Sequence, residues 1–260
     1  NKFYEKWLDQ SMTYSSALFD KKNTNLSDAQ LNKYKKIADS LSLNENSKTL
    51  EIGCGWGGFS SFAAKNYKCK IDAITISKEQ YNYTSRKIQK EGLGEKVEVH
   101  FKDYRDINKK YTNIASIEMF EAVGKKYWHN YFDVIQNSLS DNGKAALQII
   151  TINEERSVNY QTRPDFIQQY IFPGGMLPTK KQLEVSAKEV GLKCLELMSF
   201  GKSYARTLNI WNSQFQESWG DVSNFGFDNK FKRMWEFYFS YCETGFLSSS
   251  TDVSHFLIKK

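Results

Sequence analysis

Between residues 48 and 152, short apolar runs alternate with helical patterns, and few folds accept that alternation. The runs lie at about 48–52, 70–76, 96–101, 113–118 and 143–152; the helical patterns lie at about 57–67, 78–91 and 125–139. Such a rhythm predicts a doubly wound parallel sheet with helices on both faces. Further runs at 192–199 and 253–258 bring the strands to seven. Aromatic, helical stretches at 153–190 and 203–247 flank the sixth strand and are expected to form a helical lid. The chain thus divides into an N-terminal arm and first helix (1–47), an α/β core (48–152), and later strands with the lid (153–260). Ser27 is the expected N-cap of the first helix, and Ser77 with Gln80 reads as a capping box for a later one.

The first run ends in Glu51-Ile52-Gly53-Cys54-Gly55-Trp56-Gly57-Gly58. Glycines at alternate positions let a strand turn sharply into a helix and leave main chain open for a ligand to lie against. Glu51 stands at the strand end, placed to accept from an amine or hydroxyl. The spacing is Glu-x-Gly-x-Gly-x-Gly, which differs from the Gly-x-Gly-x-x-Gly of dinucleotide binders. It resembles the S-adenosylmethionine loop of class I methyltransferases.

Ligands in open α/β sheets sit outside the carboxyl ends of the strands. After the second strand come Thr75, Ile76 and, one turn into the helix, Gln80; no acid is there for a ribose, so Gln80 and the Thr75 backbone would serve. After the third come Asp103, Tyr104 and Arg105, where an acid could accept from an adenine amine and Tyr104 could stack; a charged surface turn fits as well. After the fourth comes Glu121 among Met and Phe. Desolvation there would raise its pKa, and a helix-terminus acid explains it equally on spacing alone.

The net charge of +6 suits an anionic lipid surface and equally plain solubility. No run of five or more basic residues and no zinc-finger or RNA-recognition motif is present, so nucleic acid is not an expected partner. Cysteines at 54, 69, 194 and 242 form no Cys-x-x-Cys pair, which fits a reduced cytoplasmic setting. No apolar stretch is long enough for a membrane span.

Several motifs occur in order: Tyr14-Ser15-Ser16, the glycine loop, Thr75-Ile76-Ser77 with Gln80, Asp103-Tyr104-Arg105-Asp106, Met119-Phe120-Glu121 with Val123-Gly124, Tyr170-Ile171-Phe172-Pro173, and Tyr204 with Thr207-Leu208 and Trp211. Together, over almost the whole chain, they resemble the cyclopropane-fatty-acyl-phospholipid synthase family, including the mycolic acid cyclopropane synthases. The resemblance implies a Rossmann-like, seven-stranded methyltransferase sheet, with Tyr14 and Ser15 among the cofactor contacts. It implies methyl transfer from S-adenosylmethionine to a cis double bond of a phospholipid acyl chain. A carbocation follows, and its loss of a proton gives a cyclopropane; other members end in methyl-branched chains. Longer bacterial synthases of the family carry a further N-terminal segment that these 260 residues do not include.

The resemblance also implies a bicarbonate ion as proton acceptor. Its glutamate falls on Glu121 and its tyrosine on Tyr204. The usual cysteine is Ser16, one histidine is Ala122, and another is Gln148. Ser16 and Gln148 can donate hydrogen bonds to an anion but supply no imidazole. The expected enzyme is cytoplasmic, works peripherally at the inner membrane face, and is compatible with a homo-oligomer. The rivals are a methyltransferase of a soluble small molecule and a non-catalytic S-adenosylmethionine- or lipid-binding protein.

Overall fold

The computed structural model describes all residues, Asn1–Lys260. Seven strands form one sheet: β1 (Lys48–Ile52), β2 (Lys70–Thr75), β3 (Val97–Phe101), β4 (Tyr111–Ile117), β5 (Leu139–Ile152), β6 (Lys193–Ser199) and β7 (Thr251–Lys259), in the order β3-β2-β1-β4-β5-β7-β6. The first five pair in parallel. β7 runs antiparallel between β5 and β6, so the sheet is mixed rather than wholly parallel. The strand order reverses between β1 and β4, and the crevice beyond their carboxyl ends is where such a sheet holds ligands.

Helices α1 (Leu26–Ser40), α2 (Gly58–Tyr67) and α3 (Lys78–Lys90) follow the arm and the first strands; α4 (Trp128–Ser138) precedes β5. On one face Leu50, Ile114 and Leu147 pack with Tyr131, Phe132 and Ile135 of α4. On the other, Ile71 and Ala73 pack with Ile37 of α1 and Phe59 and Ala63 of α2. Residues buried on both faces explain why these strands read as continuous apolar runs. Two capping expectations are corrected. Asn25, not Ser27, caps α1, accepting from the Asp28 amide at 2.8 Å. Ser77 caps α3, but the Gln80 side chain accepts from Thr75 Oγ1 at 2.8 Å instead of closing the box.

After β5 come α5 (Glu154–Thr162), a wide turn at Ile167–Ile171, and α6 (Lys180–Glu189); after β6 come α7 (Gly201–Glu217), α8 (Trp219–Ser223) and α9 (Asn229–Leu247). The expected lid is a packed layer. α7 and α9 close on the N-terminal arm in a core of Trp7, Trp211, Phe215, Trp235, Phe239 and their neighbours. Each such ring contributes about 1.5–3 kcal/mol on burial. The arm passes beneath this layer, which brings Tyr14, Ser15 and Ser16 to the strand ends. All four cysteines are free, and no helix is long and apolar enough to cross a membrane.

Candidate active site

A cavity of about 360 Å³ opens at the carboxyl ends of β1, β2 and β4. Its wall includes Tyr14, Ser15, Glu51, Gly53, Gly55, Thr75, Ile76, Gln80, Asp103 and Tyr104. Arg105 is not on the wall: it lies outside and grips the Asp103 carboxylate through Nε at 2.9 Å and Nη2 at 2.7 Å. That grip holds the Asp103 carboxyl below its usual range, so it stays an ionised acceptor.

The loop is built as its glycines require. The Gly53 and Cys54 amides bind the Ile74 carbonyl at 3.1 and 2.9 Å, tying the turn to β2. Gly53 has φ +77°, and a Cβ there would lie 2.8 Å from Met119 Cγ. Gly55 has φ +53°, and a Cβ there would meet nothing within 4 Å. The main chain of Gly55 is thus open on the cavity wall. Gly55→Ala puts a methyl into the cavity, so S-adenosylhomocysteine should bind about tenfold more weakly, equivalent to about 1.4 kcal/mol, while the fold survives. Calorimetry reads this, and unchanged affinity would move the cofactor off this loop.

Glu51 is buried, accepts from the Ser60 hydroxyl, and is pushed up to about 7 by burial. Burial of a carboxylate at a ligand cavity with one hydroxyl partner leaves acceptor capacity for a ligand donor.

Behind this cavity lies the largest departure from the sequence reading. Tyr204 and Gln148 do not converge on Glu121. They converge on Glu118, at the end of β4, which also lines the cavity. Tyr204 Oη donates to Glu118 Oε2 at 2.7 Å; Gln148 Nε2 donates to Oε1 at 2.7 Å; the Ser16 amide donates to Oε1 at 2.8 Å. Ser16 thus contributes its backbone, while its hydroxyl donates to the Ala17 carbonyl at 3.0 Å. Glu118 has φ +49°, a left-handed conformation that costs a side-chain residue roughly 1–2 kcal/mol and is held here by its partners.

Glu121 faces β5 instead. Its Oε1 accepts from the Ile150 amide at 2.5 Å, and its Oε2 is buried without a partner. Burial first, and the nearby Glu118 second, push it up to about 8. The raised value expected on desolvation grounds is there, while Tyr204, carried over with Glu121 as a bicarbonate ligand, bonds Glu118.

Two buried residues complete the network. His255 Nε2 lies 2.9 Å from Gln148 Oε1, and burial holds this ring neutral by lowering it to about 3. A neutral ring donating to Oε1 orients the amide so that Nε2 faces Glu118. Lys33, fully buried in α1, donates to Ser15 Oγ at 2.7 Å. Burial lowers it to about 7, and the attraction of Glu118 opposes that shift. Above the network, Tyr204 stacks on Phe246 at 4.5 Å, and Tyr14 packs against Trp211 at 5.3 Å. This is a dry, aromatic compartment whose ring faces favour positive charge.

Over residues 1–256 the chain matches the model of the mycolic acid cyclopropane synthetase family. The chain belongs to this family. It is 35% identical over 261 residues to a tuberculostearic acid methyltransferase of Mycobacterium tuberculosis, a match covering 97% of this chain and 61% of that protein. It is 34% identical over 246 residues to the cyclopropane-fatty-acyl-phospholipid synthase of Escherichia coli, covering 95% and 62%. The chain therefore spans about three-fifths of the length of these relatives. A crystal structure of a mycolic acid cyclopropane synthase complexed with SAH and CTAB superposes with a TM-score of 0.93 at 25% identity, covering 100% of this chain and 94% of that one. The sheet is that of class I S-adenosylmethionine methyltransferases.

Proposed function

We propose that this protein methylates a double bond in an unsaturated phospholipid acyl chain, giving a cyclopropane or a methyl-branched chain. The observation that carries it is an adjacency: Glu118 lines the glycine-loop cavity and is bonded to Tyr204 in the aromatic layer. Bound in that cavity, S-adenosylmethionine supplies an electrophilic methyl on a sulfonium. The open main chain at Gly55, the Glu51 carboxylate and the ionised Asp103 fit such a ligand. The side chains nearer β5 exclude water and face a developing cation with aromatic rings and carboxylates. The family's relatives that modify fatty acyl chains, and the long-chain alkylammonium held by the solved relative, favour a lipid over a small polar substrate.

A peripheral position at a membrane surface belongs to the same reading. Tyr170, Phe172, Phe237 and Tyr241 are exposed, and Phe166 joins Tyr170 to Phe237. Phe172 lies 6.4 Å from the Tyr14 ring, beside the cavity. Arg156 and Arg163, on and just beyond α5, are exposed, and each basic residue near anionic lipid is worth about 1 kcal/mol.

One assay tests both statements. Purified protein, S-adenosylmethionine and vesicles of unsaturated anionic phospholipid should yield acyl chains heavier by one methylene unit, detected by mass spectrometry of the methyl esters. The rate should fall as salt rises, because surface attraction is screened. Acyl chains of unchanged mass would refute the lipid reading, and equal rates on neutral and anionic vesicles would remove the electrostatic part.

A further inference from the structure

We propose that this protein carries its own proton acceptor, and that the Glu118 carboxylate takes the place of the bicarbonate ion that the family resemblance implies. The proposal rests on the acyl-chain reading above.

Bicarbonate does not fit the residues present. An anion at this position needs donors, and those the sequence provides are already engaged. Tyr204 Oη, Gln148 Nε2 and the Ser16 amide all end on Glu118, at 2.7, 2.7 and 2.8 Å. The Ser16 hydroxyl is turned to its own backbone neighbour. Seating bicarbonate would require displacing Glu118 or burying a second anion against it, and uncompensated buried charge is expensive.

The substitutions form one set. A carboxylate at 118 needs neutral donors around it. Gln148 is one, and His255 holds its amide oxygen so that its nitrogen faces the carboxylate, with a longer contact of 3.4 Å to the Ser16 carbonyl. Lys33, held on Ser15 Oγ at 2.7 Å, attracts the Glu118 carboxylate from behind Ser15.

The chemical step is a proton transfer. Once the methyl has added to the double bond, the acyl chain bears a carbocation. A C–H bond beside it breaks, and its electron pair closes the third ring bond or forms a new double bond. The proton passes to Glu118 Oε2, which accepts one hydrogen bond against two at Oε1 and so keeps a lone pair free. Glu118 becomes a neutral carboxylic acid and must lose that proton before the next turnover.

Three measurements test this. First, wild-type turnover in carbon-dioxide-free buffer should not change on adding millimolar bicarbonate; a several-fold rise would overturn the proposal. Second, Glu118→Gln should still bind S-adenosylhomocysteine, with turnover lower by roughly a hundredfold or more, the scale of a lost general base. Undiminished turnover there would overturn it. Third, carbon-13 NMR of labelled bicarbonate should show no binding to the wild-type protein and binding to Glu118→Ala, whose truncated side chain frees the donors. Bicarbonate bound by the wild type would overturn it. This last measurement needs no lipid, so it shows whether Glu118 holds the bicarbonate position even if acyl chains prove not to be the substrate. Lack of wild-type activity on lipid would instead count against the functional reading alone.

Discussion

Glu121→Gln is expected to stabilise the protein at alkaline pH and to leave it near wild-type stability at pH 5. Glu121 has one carboxylate oxygen on the Ile150 amide and the other buried without a partner. Its folded pKa is raised from 4.5 to about 8, first by burial and then by Glu118. The sign follows from linkage. A raised carboxyl favours the folded state below its unfolded pKa, and that contribution is lost as pH rises through the folded value. Across this window the wild type must pay to ionise a group that the amide variant never ionises. At one pKa unit per 1.36 kcal/mol, the difference should reach a few kcal/mol by about pH 9. Glu51, raised to about 7, falls in the same direction, and His255, lowered to about 3, acts in a more acidic window; both persist in the variant and cancel. Thermal melts of the two proteins without cofactor, from pH 5 to 9, measure it. Parallel curves would mean that Glu121 is not held neutral by its surroundings.

Much of this architecture was legible in the residues because the sheet is buried on both faces. Continuous apolar strands with a glycine turn after the first leave little choice of fold, and the turn marks the ligand end. The wall of the cavity follows from the same rule: residues just past the strand ends line it. Arg105 failed that rule for a local reason. Its side chain folds back on Asp103 two residues earlier, a contact that spacing alone does not distinguish from one made to a ligand. The mixed character of the sheet was hidden because an antiparallel strand buried on both faces, such as Val253 to Ile258, looks like a parallel one.

The carboxylate at the centre was not legible as such. Glu118 and Glu121 are three residues apart in a segment that leaves β4 through a left-handed residue, and it is Glu118 that meets Tyr204. Motif spacing carries no record of it. Lys33 did leave a signal. It lies among Ala29, Tyr34 and Ile37 on the apolar stripe of α1, where a lysine has no business unless it is paired. His255, within the closing apolar strand, left a similar one.

That buried lysine gives the second large effect. Lys33→Met keeps the length and apolar stem of the side chain and removes the positive charge. Glu118 then sits in the same dry compartment facing Tyr204, Gln148 and Glu121 with no cation behind it. Burial already raises its pKa, and loss of the Lys33 attraction raises it further. A proton acceptor must be ionised to act, so activity rises with pH through that pKa, and the variant's acid limb should move upward. Near neutral pH turnover should fall about tenfold or more, and it should recover toward the wild type as pH is raised, an outcome that simple misfolding would not give. Stability supplies a second, independent readout. Lys33 makes no direct ion pair with Glu118, its hydrogen bond going to Ser15, so its removal destabilises the folded protein chiefly through the ionised carboxylate it leaves unattended. Adding Glu118→Gln to Lys33→Met removes the stranded charge, so the double variant should be no less stable than Lys33→Met alone, against the larger loss expected from two independent defects. Urea denaturation of the four proteins closes that cycle. Additive losses, together with an unmoved pH profile in Lys33→Met, would mean that the lysine merely fills space beside Ser15 and that Glu118 is held ionised by its three hydrogen bonds alone.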